Sequence, residues 1–342
     1  MNVLVTGGAG YIGSHICVKL IESGITPIVV DDFRNSDKEL FINGIKNITN
    51  TYIQSYNDDV SYKLGLENIF TYHDIDAVIH LSGYKYVGES VAHPMWYYQN
   101  NLETTIALLE VMDGFNCHNL IFSSSCTVYG NGDGKKPITE DAPFKPCSPY
   151  GRTKAMQEMM LEDLFASDNK WNITTLRYFN PIGSHESGLI GDYFSGKPET
   201  LMNNINAIAT HRIVSNKEIN RLSIFGSDYS TKDGTCVRDY IHIEDLADAH
   251  VKALKNLSGY KKYNIGTGVG VSVLELIKLY NSTNNVDIPF ELADRRSGDV
   301  ESIYCDPSLA MKELHWKPTH TLEDACVSSY KFAKYYKETH NC

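Results

Sequence analysis

Tyr150 and Lys154 have the residue types and the spacing that proton transfer requires. They stand four positions apart, directly after the pair Ser148 and Pro149, which is typical of a helix start. Residues four apart share one face of a helix, so we expect the two side chains to lie side by side. A lysine ammonium and the positive end of the helix dipole favour the phenolate form of tyrosine, whose ordinary pKa is about 10. Tyr150 is therefore predicted to act as a base near neutral pH.

A run of hydroxyl side chains supplies a second candidate group. Ser125 precedes Tyr150 by 25 positions and belongs to the segment SSSCT at residues 123–127, where an apolar strand is predicted to end. Polar groups at the carboxyl end of a parallel strand lie at the edge of the ligand crevice in α/β proteins. We predict that Ser125 holds the reacting oxygen of a substrate, with Thr127 beside it. The alternative is a strand-end turn without catalytic use.

A glycine-rich turn follows the first apolar run and predicts a dinucleotide site. Residues 7–13 read GGAGYIG and open a predicted helix, so a pyrophosphate can approach the free amides at the helix N-terminus. Asp31 stands 18 positions beyond Gly13, where a carboxylate accepts hydrogen bonds from ribose hydroxyls and repels a 2′-phosphate. We therefore predict NAD rather than NADP, and its oxidised nicotinamide would add positive charge beside Tyr150. Arg34 leaves an alternative open, because a guanidinium there could neutralise a 2′-phosphate instead of lying in solvent.

The elements that must position these residues are those of an α/β fold. Through residues 1–179, apolar runs without polar alternation alternate with helical patterns, which predicts a Rossmann-type doubly wound parallel sheet. Residues 180–200 are rich in Gly, Ser, Asn and Pro, as is typical of a substrate loop. We predict an NAD-binding domain at 1–179, with a return segment near 236–262, and a smaller α/β substrate-binding domain at 180–342.

Composition argues against several other functions. The 342-residue chain carries a net charge of −11, which disfavours nucleic acids and membrane surfaces as partners. No signal-peptide pattern follows Met1 and no run of about 18 apolar residues occurs, so we expect a cytoplasmic protein. Eight cysteines are scattered without a C-x-x-C pair, which predicts reduced thiols and no metal site.

The glycine turn, the serine and the Tyr-Lys pair together resemble the extended short-chain dehydrogenase/reductase superfamily. Within it, four longer motifs resemble the UDP-glucose 4-epimerase family: VTGGAGYIGSH at residues 5–15, KYVGES at 85–90, LRYFNP at 176–181 and VRDYIH at 237–242. The resemblance extends from residue 1 to about residue 316. It implies tightly held NAD, a UDP-hexose substrate and a homodimer packed through the predicted helices at 94–112 and 149–166.

The resemblance also implies two sets of site residues. NAD is expected to contact Gly7, Gly10, Tyr11, Ile12, Gly13, Asp31, Asn35, Ser36, Leu81, Lys85, Asn100, Ser125, Tyr150, Lys154 and Tyr178. The UDP-sugar is expected to contact Ser125, Thr127, Tyr150, Asn180, Thr200, Leu201, Phe225, Arg238, Arg296, Asp299 and Ile303. These residue types suit their ligands, because two arginines can clamp a diphosphate and Phe225 can lie against uracil.

The implied reaction is the reversible interconversion of UDP-glucose and UDP-galactose. Tyr150 would take the proton of the 4-hydroxyl while hydride passes from carbon 4 to NAD. The 4-keto sugar would then turn over and receive the hydride on its opposite face. Binding energy must come from the nucleotide, since the hexose has to be held loosely enough to turn.

Three positions depart from the usual pattern of the family. The segment QSYN at residues 54–57 stands where Gly-Asp-Ile is typical, which predicts that the acidic contact to adenine is lost or replaced. Glu199 and Thr200 stand where paired asparagines are frequent, so an amide near the diphosphate is expected to be missing. Ile303 is intermediate in size between the Tyr and Cys that restrict or admit N-acetylated hexoses, so UDP-N-acetylglucosamine remains an alternative substrate.

Different reactions on the same scaffold are also open. A UDP-uronate or UDP-pentose 4-epimerase is one of them, and the charge near Thr200 would discriminate it. A nucleotide-sugar 4,6-dehydratase needs an Asp-Glu pair where this chain has Cys126 and Thr127. A regulator that binds NAD without catalysis would be expected to lack Ser125, Tyr150 and Lys154. Cys126 as a nucleophile is disfavoured, since no base is near it in sequence.

Overall fold

The computed structural model describes residues 1–131, 136–194, 198–214, 217–218, 220–296 and 299–340. Its strands are β1 (Asn2–Thr6), β2 (Thr26–Asp31), β3 (Gln54–Asn57), β4 (Ala77–His80), β5 (Asn119–Ser125), β6 (Asn172–Tyr178), β7 (Asn180–Ile182), β8 (Ile213–Val214), β9 (Lys217–Glu218), β10 (Leu222–Phe225), β11 (Val237–His242), β12 (Tyr260–Ile265), β13 (Gly270–Ser272), β14 (Phe290–Ala293) and β15 (Ser302–Ile303). Its helices are α1 (Tyr11–Glu22), α2 (Lys38–Thr49), α3 (Lys63–Tyr72), α4 (Val87–Ala92), α5 (Pro94–Gly114), α6 (Pro149–Ser167), α7 (Leu201–Ala209), α8 (Ile243–Lys255), α9 (Val273–Asn284), α10 (Ser308–Glu313) and α11 (Leu322–His340), with a 3-10 turn at Cys126–Tyr129.

Seven parallel strands form the large sheet, in the order β12-β6-β5-β4-β1-β2-β3. The chain builds outward from β1 in one direction through β2 and β3, then returns to build β4, β5 and β6 on the other side. This reversal of strand order is the defining feature of a doubly wound sheet, and it places a crevice between β1 and β4. The predicted α/β fold with a Rossmann-type sheet is confirmed.

The uniformly apolar strands follow from burial of both faces of this sheet. In β1, Val3 and Val5 pack on one face in a cluster that includes Leu246 of α8. Leu4 lies between them and packs on the opposite face, in a cluster that includes Leu108 of α5. Successive strand residues point to opposite faces, so a strand covered by helices on both sides must be apolar at every position.

The rest of the chain forms a smaller α/β unit. Strands β7, β11, β13 and β15 form a mixed sheet, and β10 pairs with β14. Helices α7, α9 and α11 contribute Ile205, Tyr280 and Cys326 to one apolar cluster. Within the predicted return segment, α8 packs on α1 and β12 extends the large sheet, whereas β11 belongs to the smaller one. The division near residue 180 remains our proposal.

Three further features concern the predictions from composition. The cysteines in the described ranges are unpaired. Among the described residues, no His, Cys, Asp and Glu side chains gather in a group of three or more that could bind a metal ion. No helix of those same ranges has the length and apolar character needed to cross a membrane.

Buried histidines are expected to make the folded state sensitive to acid. Burial lowers the pKa of His15, His242 and His250 to about 4 and that of His80 to about 3. Between pH 6.5 and about 4 the unfolded chain binds protons that the folded chain does not bind. The free energy of unfolding should therefore decrease as the pH is lowered through this window, by about 1.4 kcal/mol per pH unit for each histidine.

Urea unfolding at pH 7 and pH 5 measures this effect. His80 bonds Thr6 and Thr105 through its two ring nitrogens, and glutamine at this position cannot titrate. Between pH 7 and pH 5, the free energy of unfolding of His80→Gln should decrease by about 2 kcal/mol less than that of the wild-type chain. Equal losses in both proteins would contradict the prediction.

Candidate active site

A cleft of about 980 Å³ lies along the carboxyl edge of the large sheet. Its lining comes from the segments that follow β1 to β6 on one side, and from α7, β11 and neighbouring loops of the smaller unit on the other. The crevice between β1 and β4 lies along it, so the cleft occupies the position where doubly wound sheets bind ligands.

The catalytic residues predicted from sequence meet in this cleft. Ser125 ends β5, Tyr150 lies on the first turn of α6, and both line the cleft. The Thr127 hydroxyl donates to Ser125 Oγ over 3.0 Å, and the Thr127 amide donates to the same atom over 3.2 Å. The two hydroxyl side chains and the tyrosine are therefore gathered at one wall of the cleft.

The start of α6 is fixed by local chemistry that the sequence predicts. Ser148 is the N-cap, accepting a hydrogen bond from the Gly151 amide over 3.1 Å, and Pro149 occupies the first turn. Gly151 also permits close packing, because a Cβ there would lie 2.8 Å from the Thr127 carbonyl oxygen. One turn further on, Lys154 Nζ donates to the Ser123 carbonyl over 2.8 Å, which joins α6 to the end of β5.

The electrostatics of the tyrosine differ in part from the prediction. Burial raises the pKa of Tyr150 to about 12, although the neighbouring Ser125 hydroxyl opposes this rise. Burial also lowers the pKa of Lys154 to about 8, against the opposing charge of Glu158. The desolvation of a buried phenolate therefore outweighs the lysine and the helix dipole.

The glycine turn has the geometry of a dinucleotide cradle. A Cβ on Gly13 would lie 2.6 Å from the Gly7 carbonyl oxygen, so the turn closes only without side chains there. Gly10, the N-cap of α1, has no side chain to satisfy the helix amides. The first bond inside α1 runs from the Ser14 amide to the Gly10 carbonyl, which leaves the preceding amides pointing toward the cleft end of the helix.

Asp31 lies at the end of this dinucleotide site where the adenosine ribose is expected. Its carboxylate accepts hydrogen bonds from the Ala9 amide, the Phe33 amide and the Ser36 hydroxyl at 2.8–3.0 Å. Burial nevertheless raises its pKa, since desolvation exceeds the effect of these donors. A carboxylate has acceptor sites beyond these three bonds, so it can still receive ribose hydroxyls. The glycine turn, the free helix end and this carboxylate together fit the dinucleotide NAD.

The predicted site residues fall almost entirely on the cleft. All the predicted cofactor residues line it: Gly7, Gly10, Tyr11, Ile12, Gly13, Asp31, Asn35, Ser36, Leu81, Lys85, Asn100, Ser125, Tyr150, Lys154 and Tyr178. Among the predicted substrate residues, Ser125, Thr127, Tyr150, Asn180, Thr200, Leu201, Arg238, Arg296, Asp299 and Ile303 also line it. Phe225 is not among the lining residues, but the guanidinium of Arg296, which does line the cleft, lies 4.2 Å from the centre of the Phe225 ring. The contact of Phe225 with uracil stays a prediction.

Comparisons with known proteins identify the family. Residues 3–266 match the model of the NAD dependent epimerase/dehydratase family. This chain belongs to that family. UDP-glucose 4-epimerase of Bacillus subtilis is 45% identical over 97% of this chain and 96% of its own length. The crystal structure of UDP-glucose 4-epimerase from Bifidobacterium longum, in complex with NAD+ and UDP, is 41% identical, with a TM-score of 0.93 over 100% of this chain and 99% of that one.

A third family member is informative about ligands. UDP-glucose-4-epimerase from Stenotrophomonas maltophila, solved with bound NAD and formylated UDP-arabinopyranose, is 43% identical and covers 99% of both chains with a TM-score of 0.94. These matches confirm the predicted resemblance, the NAD dependence and the enzymatic character of the chain.

The structure places acidic residues beside one departure from the family pattern. Residues 54–57 form strand β3, and Asp58 and Asp59 line the cleft directly after it. The loss or replacement of the acidic contact to adenine stays a prediction, with these two residues as the nearest acidic groups after β3. Asp59 also pairs with Arg34 over 3.0 Å, and Asp32 contacts the same guanidinium. Because carboxylates already neutralise Arg34, the structure favours NAD over a dinucleotide with a 2′-phosphate.

At a second departure from the family pattern, Glu199 and Thr200, the threonine has a structural role. Thr200 caps α7 by accepting a hydrogen bond from the Asn203 amide, and its hydroxyl donates to Asp192 over 3.3 Å. Burial raises the pKa of Asp192, while Lys85, 3.9 Å away, opposes the rise. Sequence reasoning missed Asp192, because it lies in the irregular segment between β7 and α7. Its position makes the surroundings of Thr200 acidic.

A buried polar network behind the cleft was also missed. Arg177 of β6 makes bidentate hydrogen bonds to Glu158 of α6, and both side chains are 1% exposed. Ser124 of β5 donates to the same carboxylate over 2.5 Å, and Arg177 also donates to Tyr129 over 2.7 Å. The available signal was the arginine within an otherwise apolar strand, since a buried charge requires a partner. The network holds α6 against the ends of β5 and β6.

Proposed function

We propose that this chain interconverts UDP-glucose and UDP-galactose by oxidising carbon 4 to a 4-keto intermediate and reducing it again without facial preference. The observation that carries the proposal is the assembly of Ser125, Tyr150 and Lys154 in a dinucleotide cleft that Arg238 and Arg296 also line. The relatives from Bacillus subtilis and Bifidobacterium longum carry this activity in their names.

The residues divide the chemistry between them. Bound NAD supplies the hydride acceptor and, for the return step, the hydride donor. Tyr150 takes the proton of the 4-hydroxyl in one step and returns it in the other, which is general acid-base catalysis. Ser125 holds the same oxygen, while Lys154, bonded to the Ser123 carbonyl, provides positive charge in the same cleft. Arg238 and Arg296 clamp the diphosphate, which leaves the hexose free to turn.

The surroundings of the site argue against two rival reactions. A dehydratase requires carboxylates where Cys126 and Thr127 stand, and burial raises the pKa of the Cys126 thiol to about 12. Cys126 is thus neither a base nor a nucleophile at neutral pH. A non-catalytic NAD-binding regulator would not need Ser125, Tyr150 and Lys154 assembled around one cleft.

The candidate sugars differ in how well they suit the cleft. A uronate would bring a second negative charge near Thr200, where Asp192 and Glu199 already line the cleft. A pentose lacks that charge and remains a second candidate, supported by the formylated UDP-arabinopyranose bound to the Stenotrophomonas maltophila enzyme. Ile303 is 4% exposed and packs in a cluster with Cys126 and Cys305, so its side chain has little room to withdraw from an N-acetyl group.

We also propose that the chain works as a cytoplasmic homodimer. Large apolar side chains are exposed on the two helices that the resemblance implicates: Met95, Trp96 and Ile106 of α5, and Met156 and Met159 of α6. Apolar area that is contiguous and exposed is typical of a contact between protein chains. Unpaired cysteines in the described ranges support a reducing compartment.

Conversion of UDP-galactose to UDP-glucose without added cofactor is the test of this function. The purified chain is incubated with UDP-galactose, and the two nucleotide sugars are separated and quantified by anion-exchange chromatography. Parallel incubations with UDP-N-acetylglucosamine and UDP-arabinose measure turnover of the rival sugars. Approach to a stable mixture of UDP-glucose and UDP-galactose is the expected result. No conversion by protein that carries NAD would contradict the proposal, and turnover of another sugar alone would replace it.

A further inference from the structure

Arg34 bridges loops that belong to three different strands of the large sheet. It lies in the loop after β2, and its guanidinium donates to the Tyr84 hydroxyl over 2.5 Å and to Asp59 over 3.0 Å. Its Nε also pairs with Asp32 in its own loop. Tyr84 follows β4 and Asp59 follows β3. The planar fork of an arginine can engage several acceptors at once, which a lysine ammonium does less well.

The strand order determines where this bridge lies. In the sheet, β1 stands between β4 and β2, so a bond from Arg34 to Tyr84 must cross the carboxyl end of β1. The glycine turn of residues 7–13 begins at that strand end. Gly13 is buried at the bottom of the cleft, whereas the Arg34 side chain is 41% exposed at its rim. The bridge therefore spans the mouth of the cleft above the turn that holds the pyrophosphate.

The two distant partners are held rigidly. The backbone of Tyr84 is bonded in both directions to the side chain of Asn101, through its amide over 2.8 Å and its carbonyl over 3.1 Å. One oxygen of Asp59 accepts from the Ser61 amide and hydroxyl, which leaves the other oxygen for Arg34. These contacts fix Tyr84 and Asp59 in place independently of Arg34.

The loop that carries Arg34 is attached mainly through Asp31 and Asp32. The Phe33 backbone has a positive φ of 56°, an uncommon conformation for a residue with a side chain. The Phe33 amide and the Ser36 hydroxyl both bond the Asp31 carboxylate, and the Arg34 amide bonds Asp32.

We propose that Arg34, Tyr84 and Asp59 form a clasp across the mouth of the cleft that slows the release of the dinucleotide. A dinucleotide held by the glycine turn and Asp31 would lie beneath this bridge, so its release would require Arg34 to leave Tyr84 and Asp59. The proposal depends on NAD binding and is independent of which sugar the chain converts.

The exchange rate of bound NAD tests the clasp. The chain is loaded with isotopically labelled NAD, excess unlabelled NAD is added, and the label that remains bound is followed over time. Arg34→Ala removes the whole bridge and should accelerate exchange about tenfold, as expected for loss of a hydrogen bond to a charged group. Tyr84→Phe removes the hydroxyl acceptor alone and should accelerate exchange in the same direction.

The controls separate the clasp from direct contacts between Arg34 and the cofactor. Arg221 is exposed, pairs with Glu291 and lies outside the cleft lining, so Arg221→Ala should exchange at the wild-type rate. The double variant Arg34→Ala/Tyr84→Phe should be no faster than Arg34→Ala, because both changes break one bridge. A wild-type rate in Tyr84→Phe overturns the proposal, as does full additivity in the double variant. Label exchange requires no sugar turnover, so a result that overturns the clasp is distinct from a result that overturns the epimerase proposal.

Discussion

Replacement of Tyr150 by phenylalanine is expected to lower kcat for UDP-galactose conversion by roughly 10²–10⁴-fold, the usual contribution of one general acid-base group. The substitution keeps the buried ring and removes only the phenolic hydroxyl. Binding of NAD should persist, because the glycine turn follows β1 and Asp31 ends β2, whereas Tyr150 lies on α6. The measurements are kcat by chromatography of the nucleotide sugars and the NAD content of the purified variant.

A second buried tyrosine provides the matched control. Tyr263 is 3% exposed, donates to Glu313 over 2.8 Å and does not line the cleft. Tyr263→Phe removes one hydroxyl from a comparable environment, so kcat should stay at the wild-type value. If Tyr150→Phe retained more than about a tenth of the wild-type kcat, a general acid-base role for the tyrosine would be excluded.

The sequence predicted the parts of the site that depend on local structure. Tyr150 and Lys154 share a face because they are one helical turn apart, and Ser148 and Pro149 define where that helix begins. Ser125 and Asp31 end parallel strands, and the carboxyl ends of such strands meet along one edge of the sheet. Residues far apart in sequence could thus be assigned to one cleft without knowing any side-chain contact.

The features that sequence could not predict depend on contacts between distant side chains. The contact of the Arg296 guanidinium with the Phe225 ring joins residues 71 positions apart, which residue type alone does not indicate. The end of β3 at Asn57, with two aspartates directly after it at the cleft, was not evident from the polar sequence of the strand. The pKa of Tyr150 depends on how deeply the ring is buried, which spacing along a helix does not reveal.

The buried ion pair between Glu158 and Arg177 is predicted to have a larger effect on the free energy of unfolding than an exposed ion pair has. Substitution Glu158→Gln leaves Arg177, 1% exposed, as a buried cation without its counter-charge. Removal of one partner from a buried pair typically costs about 3–5 kcal/mol. The free energy of unfolding, measured by urea titration with circular dichroism, should fall by this amount.

An exposed pair and a double variant determine what the network contributes. Lys63 and Glu110 are about half-exposed, so Glu110→Gln should cost no more than about 1 kcal/mol. Glu158→Leu combined with Arg177→Met removes both buried charges and should be more stable than Glu158→Leu alone.

The network also joins α6 to the strand that ends in Ser125, through the bond from Ser124 to Glu158. If the double variant regains stability while kcat stays low, the pair acts mainly by aligning Tyr150 with Ser125 rather than by stabilising the fold. Equal recovery of stability and kcat would assign it to stability alone.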